Sequence, residues 1–286
     1  MASSLKSYLS LIKFSHTIFA MPFALIGFSL GVLYENKPFE GRILIAVVLC
    51  MVFARSAAMA FNRYIDERFD KLNPRTAVRE IPAGVIQKNN ALFFVVVMCG
   101  LFILTTFFIN RICFYLSPVA LFVILFYSYT KRFTALCHLV LGVGLALAPL
   151  GAFLAVTGYF TWLPILFSAL VLCWVSGFDI LYALQDEDFD KAHQLHSIPS
   201  LLGRRNALHV STLLHLIAGL LVIGIGVLAS SGWIYWIGAL AFIGLLIYQH
   251  TLVKPHDISK VNIAFATTNG IASMVYAVFV ILSLWV

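Results

Sequence analysis

The chain has 286 residues, of which 62% are hydrophobic and 11% are charged, and its formal net charge is +7. This composition excludes a soluble globular domain of this length. The positive charge is explained by cationic loops beside anionic lipid headgroups, so it does not call for a nucleic acid as partner.

Apolar segments long enough to cross a bilayer, about 17–25 residues each, follow one another along the chain. They span 14–34, 43–61, 91–109, 112–130, 136–157, 160–181, 207–229, 232–252 and 262–285. The first is too long and too poorly bounded for a cleavable signal peptide, so we expect it to be a membrane span. The sequence thus predicts an all-α membrane protein with about nine transmembrane helices in one bundle around a central cavity, folded as a single domain over residues 1–286.

The distribution of Lys and Arg predicts the orientation of the chain, because cations in short loops stay in the cytoplasm. A cytoplasmic N-terminus places the basic loops 62–90 and 182–206 on the same side, together with the turn at Lys131 and Arg132. The opposite side keeps few cations. We therefore expect an integral protein of a bacterial inner membrane, with both of these loops facing the cytoplasm.

The first polar motif begins inside the second apolar segment. Asn62, Asp66 and Asp70 recur every four residues, so an amide and two carboxylates share one helix face. Arg75 and Arg79 follow, and arginines bind phosphate oxygens through charge-assisted hydrogen bonds. The alternative interpretation is an ordinary polar surface with ion pairs between residues four apart.

Arg55 lies within the same apolar segment, seven residues before Asn62 and therefore on nearly the same helix face. A charge inside a membrane span is by default a candidate for function. The alternative is a structural role, in which Arg55 pairs with a carboxylate or with carbonyl groups at a helix end.

The second motif repeats the pattern at a later helix end. Asp179, Tyr182, Asp186 and Asp190 fall at positions i, i+3, i+7 and i+11, and Lys191 follows. An even number of predicted helices separates the two motifs, which returns the chain to the same side of the membrane. Four converging carboxylates cannot all remain ionised without cations, and oxygen ligands beside a phosphorylated substrate suit Mg²⁺.

Both motifs resemble the signatures of the UbiA superfamily of intramembrane aromatic prenyltransferases. The resemblance is carried by Asn62-x-x-x-Asp66-x-x-x-Asp70 with Arg75-Thr76 and Arg79, by Asp179-x-x-Tyr182-Ala183-x-x-Asp186-x-x-x-Asp190, and by the Lys131-Arg132 turn. One departure is Arg79-Glu80-Ile81-Pro82, where the family usually has Arg-Pro-Leu. This variant looks like the 4-hydroxybenzoate polyprenyltransferase-like subgroup, some members of which are thought to prenylate a dihydroxynaphthoate.

The resemblance implies Mg²⁺-dependent transfer of a polyprenyl group from its diphosphate to a small hydroxylated aromatic acid in quinone biosynthesis. The acceptor would be of the 4-hydroxybenzoate type or, for menaquinone, a dihydroxynaphthoate. The implied catalytic and metal-binding residues are Asp66, Asp70, Asp186 and Asp190, with Asn62 as a further metal ligand. The implied substrate-binding residues are Asn62, Arg55, Arg75, Arg79, Lys131, Arg132, Asp179, Tyr182 and Lys191. No sequence feature indicates an obligate protein partner.

Three other functions stay open at this stage. A secondary transporter also combines repeated halves with intramembrane charge, although its acids would lie nearer the bilayer midplane. A CDP-alcohol phosphotransferase uses spaced aspartates too, but needs an Asp-Gly and an Ala-Arg that neither motif supplies. Prenylation of haem or chlorophyll is the third alternative, within the same superfamily.

Overall fold

The computed structural model describes residues 2–12 and 19–286, and within these ranges its regular elements are helices. The α-helices are α1 Ala2–Leu11, α2 Met21–Ser29, α3 Gly41–Leu72, α4 Lys88–Phe107, α5 Arg111–Thr130, α6 Cys137–Thr157, α7 Trp162–Ala183, α8 Glu187–Ala192, α9 Ile198–Leu228, α10 Trp233–Leu252 and α11 Asn269–Ser283. Short π-helical turns, Leu30–Tyr34 and Ile263–Thr268, extend α2 and precede α11.

Eight helices in the described part of the chain are long and apolar enough to cross a membrane. They correspond to the predicted segments from 43–61 onwards, which confirms an all-α integral membrane protein. The first predicted segment, 14–34, begins in residues that lie outside the described ranges. Its described part forms a shorter apolar helix, Met21–Tyr34.

Helices extend into both predicted loops: they cover about half of 62–90 and most of 182–206. Helix α3 continues to Leu72, so the irregular part of the first loop is confined to 73–87. In the second, α7 passes through a 3₁₀ turn into α8, and α9 already begins at Ile198. The early start of α9 has a local cause, because Ser197 and Ser200 form a reciprocal capping box.

Helices α3 and α7 run parallel, since three consecutive antiparallel helices, α4, α5 and α6, connect them. Each of these helices contacts the next one along the chain. The carboxyl ends of α3 and α7, which carry the two motifs, therefore lie at the same end of the bundle. Arg75, just beyond α3, indeed contacts Asp186, just beyond α7.

Helix α2 packs closely into the bundle through its small residues. Lipid is as apolar as Leu, so helices in a membrane gain more from close packing than from burying apolar area. A Cβ atom placed on Gly27 would collide with the main chain of Pro149 in α6. Gly27 therefore permits α2 and α6 to approach each other.

We expect Gly27→Ala to destabilise the protein by about 1–3 kcal/mol, because the added methyl group forces the packed backbones apart. Gly100→Ala is the matched control, since Gly100 also lies within a helix but has no atom near the added Cβ. Thermal unfolding in detergent measures both variants. Equal melting temperatures for the two variants would contradict this account of the α2–α6 contact.

Candidate active site

A cavity of about 910 Å³ extends into the bundle between α3, α5, α6 and α7. One part of its wall is apolar, with side chains such as Leu116, Ala120 and Leu147. The polar part contains most of the predicted site residues: Arg55, Asn62, Asp66, Asp70, Arg75, Arg79, Lys131, Arg132, Asp179, Tyr182 and Asp186. The structure thus brings both motifs to one cavity, whereas Asp190 and Lys191 are not among its lining residues.

Asp186 is the centre of a polar cluster that joins the two motifs. Its carboxylate accepts hydrogen bonds from Arg75, at 3.1 Å from Nε and 2.5 Å from Nη2, and another at 3.1 Å from Asn73 Nδ2. Arg75 Nη1 also donates to the Tyr182 hydroxyl at 3.1 Å. Burial alone would lower the pKa of Arg75, but the Asp186 carboxylate outweighs this effect and the pKa is raised above its ordinary value. Arg75 therefore stays charged in the cavity.

The carboxylates of the first motif also face cations. Arg79 Nη1 donates to Asp70 Oδ1 at 2.7 Å, while Asp70 Oδ2 is buried and has no hydrogen-bond partner among residues 2–12 and 19–286. Asp66 Oδ2 accepts a hydrogen bond from Asn62 Nδ2 at 3.1 Å, and Asp66 Oδ1 lies 3.5 Å from Arg132 Nη2. Amide, carboxylate and guanidinium groups thus contact one another at the polar end of the cavity.

The four aspartates do not converge as closely as their spacing suggests. Among the residues that the structure describes, no three His, Cys, Asp or Glu side chains are grouped tightly enough to hold a metal ion. Arginine side chains stand against the carboxylates and neutralise them, as in the pairs Arg75–Asp186 and Arg79–Asp70. The metal-binding set consequently stays a prediction.

Asp190 is held by contacts that join two segments of the fold. It is fully buried, forms an ion pair with Lys131 Nζ at 2.7 Å, and accepts a hydrogen bond from Ser197 Oγ at 2.9 Å. Burial alone would lower the pKa of Lys131, but Asp190 outweighs this effect and raises it above the ordinary value. Lys191 lies outside the cavity, half exposed, in a pair with Glu187. Asp190 therefore joins the α5–α6 turn to the start of α9.

We expect Lys131→Met to lower the free energy of unfolding by about 3 kcal/mol, because it leaves the Asp190 charge buried and unpaired. The double variant Lys131→Met/Asp190→Asn should recover most of this loss, since the buried charge is gone. Lys191→Met is the control, because Lys191 is half exposed and the buried Glu187 keeps its second cationic partner, Arg204, at 2.8 Å. Thermal unfolding measures all three, and a double variant no more stable than Lys131→Met would contradict the assignment.

Arg55 lies deeper in the cavity than the motif carboxylates. It is eleven residues before Asp66, or about 16 Å along α3 at 1.5 Å per residue. Its Nε atom is buried and has no hydrogen-bond partner in the described part of the chain. The structural alternative, in which Arg55 pairs with a carboxylate, receives no support from these contacts. Arg55 thus offers an N–H donor for an anionic group.

Sequence reasoning missed several residues that line the cavity. Asn73 and Tyr127 lie beside the motif segments without a distinctive spacing, and Arg63 is one of many cations in the basic segment 62–90. Arg63 is in fact 3% exposed, with Nε and Nη1 unpartnered among the described residues. His138 also lines the cavity and contacts Asp179. Its position at the start of an apolar helix, six residues after Arg132, could have drawn attention to it.

These features define an α-helical membrane protein with a polar-ended internal cavity. The UbiA prenyltransferase family matches residues 20–285. The 4-hydroxybenzoate octaprenyltransferase of Aliivibrio fischeri strain MJ11 is 32% identical over 243 residues, which cover 83% of this chain and 82% of the relative. The enzyme of the same name from Nitrosospira multiformis is 31% identical over 237 residues, 82% of this chain and 81% of that enzyme.

Solved structures agree with this assignment. The apo structure of a UbiA homologue from Aeropyrum pernix K1 has a TM-score of 0.84 and 30% identity, covering 93% of this chain and 97% of its own. A UbiA homologue from Archaeoglobus fulgidus, bound to GPP and Mg²⁺, shares the fold, with a TM-score of 0.79 at 18% identity. The match covers 98% of this chain and 100% of that homologue. The chain belongs to the UbiA prenyltransferase family.

Proposed function

We propose that the protein transfers a polyprenyl group from polyprenyl diphosphate to a hydroxylated aromatic acid of the 4-hydroxybenzoate type. The observation that carries this proposal is the single cavity in which both aspartate motifs and several arginines meet an apolar wall. Such a cavity suits a substrate with an anionic head and a long hydrocarbon tail. The names of the Aliivibrio and Nitrosospira relatives support the same reaction.

The donor set at the polar end fits Mg²⁺. Asn62, Asp66, Asp70 and Asp186 offer oxygen ligands to a cation, and the buried Asp70 Oδ2 has no hydrogen-bond partner within the described residues. These four residues would hold the ion, whereas Asp190 is committed to Lys131 and Ser197. When bound, Mg²⁺ supplies charge neutralisation at the diphosphate as its C–O bond to the prenyl group breaks.

Arg75, Arg79 and Arg132 bind the diphosphate in this proposal. Their guanidinium groups already lie against the motif carboxylates, so they are held at the polar end before substrate enters. A diphosphate offers each of them the bidentate oxygen pair that arginine favours. The arginines therefore stabilise the charge that develops on the leaving group.

Arg55 binds the carboxylate of the aromatic acceptor. Its Nε, which has no partner in the part of the chain that the structure describes, lies deeper than the carboxylates that would hold the metal. The acceptor ring is then placed between Arg55 and the polar end, with its phenol directed toward the prenyl donor. This placement brings the ring carbon beside the phenol oxygen to the reacting end of the allylic group.

The apolar wall holds the prenyl tail. Each CH₂ group that stays out of water is stabilised by about 0.8 kcal/mol, so a long tail favours a site open to hydrocarbon. Exclusion of water also protects the allylic cation from hydrolysis. The membrane setting is thus part of the mechanism.

The proposed function also includes the domain organisation, the orientation and the partners of the protein. Residues 1–286 form a single domain, the N-terminus and both motifs face the cytoplasm of a bacterial cell, and no obligate protein partner is needed. The bias of Lys and Arg supports the orientation. The substrates are polyprenyl diphosphate and the aromatic acid.

The proposal is tested with membranes that contain the protein, supplied with radiolabelled polyprenyl diphosphate and Mg²⁺. 4-Hydroxybenzoate and 1,4-dihydroxy-6-naphthoate are offered in parallel, because the Arg79-Glu80-Ile81-Pro82 variant leaves a dihydroxynaphthoate as the alternative acceptor. Labelled product from 4-hydroxybenzoate is the expected result. Product from the naphthoate alone would reassign the acceptor, and no product from either would contradict prenyl transfer to these aromatic acids.

A further inference from the structure

A buried histidine and the first aspartate of the second motif face each other in the cavity wall, deeper than Asp66, Asp70 and Asp186. His138, at the start of α6, has its Nδ1 atom 2.7 Å from Oδ2 of Asp179 in α7. His138 is 3% exposed, and the Asp179 side chain is 18% exposed. Both residues line the cavity. The diphosphate, metal and carboxylate contacts described above use neither residue.

The contacts of His138 fix its tautomer. The main-chain N–H of Ile198, at the first residue of α9, donates to His138 Nε2 at 3.3 Å. Because Nε2 accepts this hydrogen bond, the ring proton is on Nδ1 and is donated to Asp179. His138 therefore holds the Asp179 carboxylate in one orientation and leaves Oδ1 for another partner.

The depth of Asp179 matches the expected place of the acceptor ring. Asp179 is seven residues before Asp186, about 12 Å along α7 and the 3₁₀ turn that follows it. Arg55 lies about 16 Å below Asp66 on the parallel helix α3. An acceptor whose carboxylate contacts Arg55 thus places its reacting half near the level of Asp179.

We propose that Asp179 accepts the proton that the aromatic ring loses after prenylation, and that His138 is its positioning residue. The inference rests on the proposed function. In this step the allylic carbon has bonded to the ring, and the C–O electron pair has left with the diphosphate. The ring C–H bond then breaks, its electron pair restores aromaticity, and the proton moves to the Asp179 carboxylate, which later releases it to solvent.

Kinetics with 4-hydroxybenzoate deuterated at both ring positions beside the phenol test the step. The wild type should show no isotope effect on kcat, because C–O cleavage is slower than proton loss. Asp179→Asn lacks the base, so we expect kcat to fall by about 10²–10³-fold and an isotope effect above one to emerge. The ratio compares two substrates on one protein, so it does not depend on the fraction that folds.

Variants of His138 distinguish a role in positioning Asp179 from a general effect on the structure. His138→Leu removes the donor to Asp179. We expect its kcat to fall less than that of Asp179→Asn, and we expect an isotope effect. His138→Asn keeps an N–H donor near the Nδ1 position and should restore most of kcat. His256→Leu, at an exposed histidine in a loop, is the matched control and should behave as wild type.

Failure of the Asp179 proposal and failure of the proposed function give different results. If Asp179→Asn keeps the wild-type kcat, or changes only KM and shows no isotope effect, Asp179 is not the base. Prenyl transfer itself would still stand in that case. Equal kcat in His138→Leu and His138→Asn would overturn the positioning role. Absence of product from the wild type would overturn the proposed function and this inference with it.

Discussion

Asp186→Ala should lower the rate of prenyl transfer by about 10³-fold, because the proposed metal ligand that also holds Arg75 is lost from the polar end of the cavity. Asp186 makes the contacts that join the two motifs, with Arg75 and Asn73 on one side of the cavity and its own helix on the other. The measurement is kcat with labelled donor at saturating acceptor. The KM for the acceptor should change little, since the aromatic ring binds elsewhere.

Asp188→Ala is the control for this variant. Asp188 lies two residues further along, but its side chain is 89% exposed and does not line the cavity. We expect it to retain the wild-type rate within about twofold, as for a surface substitution. Comparable losses in the two variants would mean that the decrease reflects a general effect of removing an acid from this segment.

Arg55→Leu should lower kcat/KM for 4-hydroxybenzoate by about 100-fold, because a buried charge-assisted contact to the acceptor carboxylate is lost. The KM for polyprenyl diphosphate should stay unchanged. Phenol, which lacks the carboxylate, should react equally slowly with the wild type and the variant. Steady-state kinetics with both acceptors measure these differences.

Arg111→Leu is the matched control for Arg55. Arg111 begins α5 and is exposed, so its loss should leave both kinetic constants unchanged. A rise in the donor KM in Arg55→Leu would instead assign Arg55 to the diphosphate. An unchanged kcat/KM for 4-hydroxybenzoate would contradict its role in acceptor binding.

The sequence predicted the membrane helices and the motif residues because both depend on local patterns. Apolar length identifies a span, and a spacing of four residues places Asn62, Asp66 and Asp70 on one helix face. The even number of helices between the motifs then placed both at one end of the bundle. The cavity contacts between Arg75 and Asp186 agree with this prediction.

Contacts between distant segments were not predictable in the same way. The spacing of Asp190 equals that of Asp70, yet the 3₁₀ turn Leu184–Asp186 separates it from α7 and it packs against Lys131 and Ser197. His138 is an isolated polar residue in an apolar helix, and its contact with Asp179 joins α6 to α7. Such roles depend on how helices pack, which periodicity does not determine.

We propose that metal-dependent prenyl transfer takes place at the polar end of the cavity. Product formation by protein purified in detergent, where no ion gradient exists, tests this proposal when it is measured before metal removal, after removal with a chelator and again after adding Mg²⁺. We expect labelled prenylated acceptor from the untreated protein, none after chelation, and recovery with Mg²⁺. Product formation that chelation leaves unchanged would contradict the metal site, and the absence of donor consumption under all three conditions would favour a transporter.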